Sequence, residues 1–206
     1  MEDEKLVKQI KELSIKYSAA MKQIETYLKI LEEDFTFRYD YNPIDHIITR
    51  LKTPESILGK MEKDGRNKTI EEIENHIFDI AGVRIVCPFE DDVERVIEVL
   101  KESNHIQIIK EKDYIQKPKE SGYRSYHLVV LAHVHLISGN EEVPVEIQVR
   151  TLAQDFWASL EHQITYKYKG EVPEYISKEL KECSDVANLL DMKMMDISNE
   201  LHARNF

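Results

Sequence analysis

Residues Val145-Glu146-Ile147-Gln148-Val149-Arg150 alternate strictly between branched apolar and polar side chains, and this restricts the fold more than any other feature of the chain. Successive side chains of a β-strand point to opposite faces, so Val145, Ile147 and Val149 share one face and Glu146, Gln148 and Arg150 the other. The apolar face demands a core. A carboxylate, an amide and a guanidinium are costly to bury without partners, so the opposite face is expected to line a cleft. Tyr123, Ser125 and His127 share a face in the same manner along a second strand. Together the two strands suit a site that holds a flat base and a charged polyphosphate.

The flanking segments are helical. Leu6, Ile10, Leu13, Tyr17, Ala20, Ile24, Tyr27 and Leu31 follow alternating spacings of four and three, as do Ile176, Leu180, Cys183, Ala187, Leu190, Met194, Ile197 and Leu201. Each seam runs about 38 Å at the helical rise, and the spacing is that of coiled-coil-like packing. The two helices are expected either to pack on each other or to make symmetric contacts between subunits.

Between them the pattern predicts an α/β middle. Strands are expected over 47–52, 83–86, 106–110, 124–137 and 143–150, with Ile48, Arg50 and Lys52 on one face of the first. Thr53-Pro54, Thr69 to Glu72 and Thr151 to Gln154 read as helix starts, and another helix runs from Asp91 to about Ser103. Ser138-Gly139-Asn140 reads as a turn. The helix after Thr151 is expected to bury Ala153, Phe156, Trp157, Leu160 and Ile164. The fold class is therefore α+β, a mixed central sheet flanked by helices with long N- and C-terminal helices. One domain is expected over 1–206, with a helical extension at 1–42, a core at 43–170 and a C-terminal helix at 171–206.

The 206-residue chain carries a net charge of −11, which argues against broad binding to nucleic acid. Its basic residues nevertheless cluster, Arg50, Lys52, Lys60 and Lys63 in one stretch and Lys110, Lys112, Lys117, Lys119 and Arg124 in another. A locally positive cleft on an acidic protein suits a small polyanion. No apolar run approaches the ~20 residues of a membrane span, the N-terminus lacks a signal-peptide pattern, and Cys87 and Cys183 form no metal-ligand spacing. A cytoplasmic location is expected. His133 and His135 share a strand face without a third ligand at a recognisable spacing, and are expected to face solvent.

Four ordered segments, Arg50 to Ile57, Asp79 to Val86, Ser121 to His127 and Glu146 to Thr151, resemble the synthetase domain of the RelA/SpoT superfamily, and the short length resembles its small alarmone synthetase branch. The resemblance covers roughly residues 43–170. It implies a nucleotidyltransferase-like fold and transfer of pyrophosphate from ATP to the 3′-hydroxyl of GDP or GTP, giving (p)ppGpp and AMP. It also implies Mg²⁺ as cofactor and a homo-oligomer, most often a tetramer. By the same resemblance Asp79 and Glu146 are the essential acids and metal ligands, Glu146 taking the hydroxyl proton or sharing the metal. Arg50, Lys52, Ser56, Lys60 and Arg84 correspond to ATP-binding positions. Lys112, Lys119, Tyr123, His127 and Gln148 correspond to the GDP/GTP side, with Tyr123 a base-stacking platform on an exposed rim and Lys112 standing where Arg is expected. Relatives activated by the alarmone bind it between subunits, and Asp155 stands where a neutral polar residue is expected, so its charge would repel that ligand. The chain shows no His-Asp dipeptide, the mark of the hydrolase half of larger members, and is expected to make alarmone without degrading it. Transfer to an adenine nucleotide or tRNA, or a catalytically idle nucleotide-binding regulator, are the competing readings.

Overall fold

The strictly alternating segment lies in β5 (Gly139–Thr151), inside a five-stranded mixed sheet of order β1-β2-β5-β4-β3. This is a computed structural model that describes residues 2–166, 168, 170 and 172–203. The other strands are β1 (His46–Leu51), β2 (Ala81–Cys87), β3 (Gln107–Asp113) and β4 (Tyr126–Leu136). β2 and β5 pair in parallel, and the remaining neighbours are antiparallel. Leu136 pairs with Gly139, whose φ of +129° is a conformation that favours glycine, and this closes the β4–β5 hairpin at the expected turn.

Among the described residues six helices flank the sheet: α1 (Glu2–Tyr39), α2 (Pro54–Lys63), α3 (Ile70–His76), α4 (Glu90–Glu102), α5 (Leu152–Tyr166) and α6 (Glu174–Ala203). Of the expected C-terminal helix at 171–206, residues 171 and 204–206 lie outside the described residues, as does Met1 of the N-terminal one. Three helix starts are capped as their sequences predict. Thr53 Oγ1 accepts from the Ser56 amide at 3.3 Å and Thr69 Oγ1 from the Glu72 amide at 3.2 Å. Thr151 Oγ1 accepts from the Gln154 amide while Gln154 Oε1 accepts from the Thr151 amide, both at 3.2 Å, a reciprocal capping box.

The seam of α1 does not meet α6. Ile10, Leu13, Tyr17, Ala20, Ile24 and Leu28 are buried in one core with Val83, Ile85, Val145, Ile147, Val149 and the inner face of α4. A stripe spaced at 3.5 residues covers a sheet as well as it covers another helix, and the apolar face of β5 needs that cover. The seam of α6 stays open, with Leu190 59%, Met194 50%, Ile197 54% and Leu201 58% exposed. The expected inward face of α5 is likewise corrected. Trp157 is buried, whereas Phe156, Leu160 and Ile164 are exposed. Periodicity marks an apolar stripe without saying which partner covers it.

Lys16 on α1 ties the helix to Glu74 and Glu141 at 2.6 and 2.8 Å. Ile24→Ala on the same helix leaves a cavity against the sheet and is expected to destabilise the fold by about 2–5 kcal/mol, read by denaturant unfolding.

Candidate active site

Two rows of paired residues cross the sheet and supply much of the site. Ile48, Arg84, Gln148, His127 and Lys112 lie in one register line from β1 to β3; Arg50, Gly82, Glu146, Val129 and Lys110 lie in the neighbouring one. The polar face of β5 thus becomes the floor of two clefts. The first, of about 530 Å³, is lined by Arg50, Lys52, Ser56, Arg84 and His162 among others. The second, of about 420 Å³, is lined by Lys60, Lys110, Lys112, Tyr114, Lys119, Tyr123 and His127 among others. Asp79, Glu146 and Gln148 line both.

Asp79 precedes β2, at the end of the loop from α3, and the two expected lysines converge on it. Lys52 Nζ lies 2.5 Å from Oδ2 and Lys60 Nζ 2.9 Å from Oδ1. Thr53 caps α2 and so directs Lys60, in the last turn of that helix, back towards the sheet. Burial pushes the Asp79 carboxyl up, but hydrogen bonds and charge from the two lysines outweigh it and hold the group below the usual aspartate range.

Glu146 sits in a closed ring of side chains. Arg150 Nη2 donates to Gln148 Oε1 at 2.7 Å, and Gln148 Nε2 donates to Glu146 Oε2 at 2.8 Å. Glu146 Oε1 is 3.3 Å from His127 Nδ1, His127 Nε2 is 2.9 Å from the Tyr123 hydroxyl, and the Arg150 guanidinium lies 5.7 Å above the Tyr123 ring. An ionised carboxylate only accepts, so the Nδ1 proton of His127 faces Glu146. Burial raises the Glu146 carboxyl, and His127 followed by Gln148 brings it below the usual glutamate range.

Tyr123 departs from its expected place on an exposed rim, since it is half-buried and its hydroxyl is committed to His127. Its position is set by Gly122, which has a φ of +91° and whose carbonyl accepts from Ser184 Oγ on α6 at 2.6 Å. A Cβ at Gly122 would stand 2.8 Å from the Ser184 Cβ, so only glycine allows the approach. Lys119 lies 4.8 Å above the Tyr123 ring and 4.7 Å above that of Tyr114. Lys119 is exposed and Arg150 is buried, so the two cations approach the Tyr123 ring from solvent and from the interior.

All the expected site residues therefore meet along the two joined clefts. Lys60, expected beside ATP, lines the second cleft and reaches Asp79 at the junction. Sequence reasoning missed Tyr114, Phe78, His76 and His162. Lys110, Lys112 and Tyr114 follow a two-residue alternation, but a bulge between Ile108 and Lys110 breaks the pattern upstream and ends the apparent strand too early. His76, Phe78 and His162 belong to no such pattern. Asp155 does not stand free, because its Oδ1 is 3.1 Å from Arg84 Nη1 and 3.6 Å from Arg150 Nε. His133 and His135 are exposed, as expected.

Two cation-lined clefts meeting on a pair of ionised acids define a site that brings two anionic substrates together. Residues 49–171 match the family described as the region found in RelA/SpoT proteins, and the chain belongs to that family. It is 43% identical over 185 residues to the GTP pyrophosphokinase YwaC of Bacillus subtilis, covering 90% of this chain and 88% of the relative. It superposes on small alarmone synthetase 1 of Bacillus subtilis bound to its product pppGpp with a TM-score of 0.87 at 40% identity, over 94% of this chain and 98% of the other. The AMPCPP-bound form of that synthetase gives a TM-score of 0.81 at 37% identity, over 95% of this chain and 99% of the other.

The folded-state depression of Asp79 and Glu146 has a defined pH consequence. Each adds stability that is fully present above its ordinary value of 3.8 or 4.5 and is lost as pH falls through the lowered one. Replacing Lys52 and Lys60 by Met leaves burial unopposed at Asp79. Asp79 should then cost stability near neutral pH and give it back as pH falls through its raised value. The double variant should therefore lose less stability on acidification than the wild type, read by thermal unfolding between about pH 3 and 6.

Proposed function

We propose that this chain is a (p)ppGpp synthetase, transferring pyrophosphate from ATP to the 3′-hydroxyl of GDP or GTP. The observation that carries the reading is the sharing of Asp79, Glu146 and Gln148 by two otherwise separate polar clefts. ATP occupies the first cleft against Arg50, Lys52, Ser56 and Arg84, with Lys60 at the junction. The acceptor occupies the second against Lys112, Lys119, Tyr123, His127 and Gln148. Guanidinium planes can stack on adenine as ammonium groups cannot, and Tyr123 offers a ring to guanine.

In this mechanism the acceptor 3′-oxygen attacks the β-phosphorus of ATP, Glu146 takes the hydroxyl proton, and the bond from the β-phosphorus to the α,β-bridging oxygen breaks to release AMP. Gln148 and His127 fix both oxygens of Glu146, so the carboxylate is aimed before substrate enters. The lysines meet phosphate charge that spreads during transfer. Asp79 and Glu146 offer the hard oxygen donors that suit Mg²⁺, and Lys52 and Lys60 keep Asp79 ionised. Among the described residues no cluster of three or more His, Cys, Asp or Glu side chains could hold a metal, so Asp79 and Glu146 are the protein donors that would hold one. Bound there, Mg²⁺ supplies charge neutralisation at the phosphates.

The protein incubated with labelled ATP, Mg²⁺ and GDP, GTP, ADP or tRNA should yield labelled product with the guanine nucleotides; product from ADP or tRNA alone would assign a different acceptor. Glu146→Gln should keep the fold and nucleotide binding and lower turnover by at least ~100-fold.

We also propose a single domain whose copies assemble into a homotetramer. The exposed apolar faces of α5 and α6 offer the surface for that contact. Light scattering should give a mass well above one chain, and Leu190→Asp should reduce it to that of the monomer.

A further inference from the structure

Arg84 and Arg150 belong to different halves of the site but share one carboxylate. Arg84 lines the first cleft from β2. Arg150, 2% exposed, supports the second from beneath, over the Tyr123 ring and through Gln148 to Glu146. Asp155 Oδ1 lies 3.1 Å from Arg84 Nη1 and 3.6 Å from Arg150 Nε. The Asp155 side chain is only 17% exposed, and the reciprocal cap between Thr151 and Gln154 fixes the first turn of α5 that presents it. The Nε atoms of both arginines are buried without a hydrogen-bond partner among the described residues, and Asp155 is the carboxylate within ion-pair distance of both guanidiniums.

We propose that Asp155 is a positioning residue that couples the two nucleotide clefts, holding the donor-side Arg84 and the acceptor-side Arg150 on one carboxylate oxygen. This rests on the reading of the first cleft as the ATP site and the second as the acceptor site. Two neighbouring guanidiniums repel, and the carboxylate between them lets both remain close. Arg84 is 30% exposed and lines the cleft, whereas Arg150 is enclosed. A ligand that engages Arg84 draws on the same oxygen that steadies Arg150, and Arg150 in turn orients Gln148 and the Tyr123 ring. Occupancy of one cleft therefore alters affinity in the other, and by linkage the effect is reciprocal.

The test uses Asp155→Asn, Asp155→Glu, Arg84→Gln and the Asp155→Asn/Arg84→Gln double variant of the full chain. AMPCPP and GDP binding are read by calorimetry, alongside the KM for ATP and acceptor. Asp155→Asn keeps the shape and loses the charge, and should raise KM for both substrates about tenfold while lowering kcat less. Asp155→Glu should recover most of this. In the Arg84→Gln background, Asp155→Asn should change the AMPCPP Kd by less than about twofold, because the residue acts through Arg84. Additive losses in the double variant, or KM values unchanged in Asp155→Asn, would overturn the proposal. If Asp155→Asn does not fold, Arg84→Gln alone decides. Altering the donor cleft should weaken GDP binding about threefold in the absence of ATP, and unchanged GDP affinity overturns the coupling. A wild-type protein that binds AMPCPP and GDP yet forms no product would sink the pyrophosphokinase reading alone and leave the coupling measurable.

Discussion

Everything in the site depends on the segregation of faces along β5. Val145, Ile147 and Val149 are fully buried, and that burial fixes which way Glu146 and Gln148 point. A slip of one residue would drive the carboxylate and the amide into the core and expose the valines, so register and chemistry are enforced by the same hydrophobic term. Pairing with β2 on one side and β4 on the other then places Arg84 and His127 level with Gln148. No separate device is needed to align the two halves of the site. Sheet geometry does it.

Such an arrangement concentrates charge where charge is expensive. Removing one partner from a buried ion pair leaves an uncompensated charge, which is far costlier than never having had the pair. The chain answers by giving every buried site charge more than one neighbour: Asp79 has two lysines, Glu146 has an imidazole and an amide, and Arg150 has Gln148, Asp155 and an aromatic face. This explains how an acidic protein can present locally cationic clefts. The basic residues of the second cleft are held over the rings of Tyr114, Tyr123 and Phe78.

Patterns that involve near neighbours in sequence were readable directly. Alternation in β5, the threonine caps at 53, 69 and 151, and the hairpin glycine at 139 each follow from local sterics or local hydrogen bonds, and each reappears in the fold. What could not be read were the partners of amphipathic faces. The stripes of α1 and α6 have the same spacing, yet one packs on the sheet and the other remains open. Likewise the bulge between Ile108 and Lys110 hides the alternation that leads to Tyr114, and nothing in the surrounding residues reveals that Asp155 meets two arginines from different strands. Those facts belong to long-range packing, where propensity and periodicity carry no information.

The open face and the site are nevertheless mechanically joined. On α5, Asp155 turns towards the arginines while Phe156, the next residue, turns outward to join the exposed apolar surface. Trp157 Nε1 donates to the Leu180 carbonyl at 2.8 Å and fastens α5 to α6. Ser184, one turn further along α6, holds the Gly122 carbonyl beside Tyr123. Val186 and Leu190 on that helix lie on the exposed side. A body that covers this surface thus presses on a helix whose inner face is one hydrogen bond from the residue before Tyr123. Rigid helices transmit small shifts without absorbing them. The apolar faces of α5 and α6 are therefore placed where their packing bears on both halves of the site, Arg84 through Asp155 and Tyr123 through Ser184.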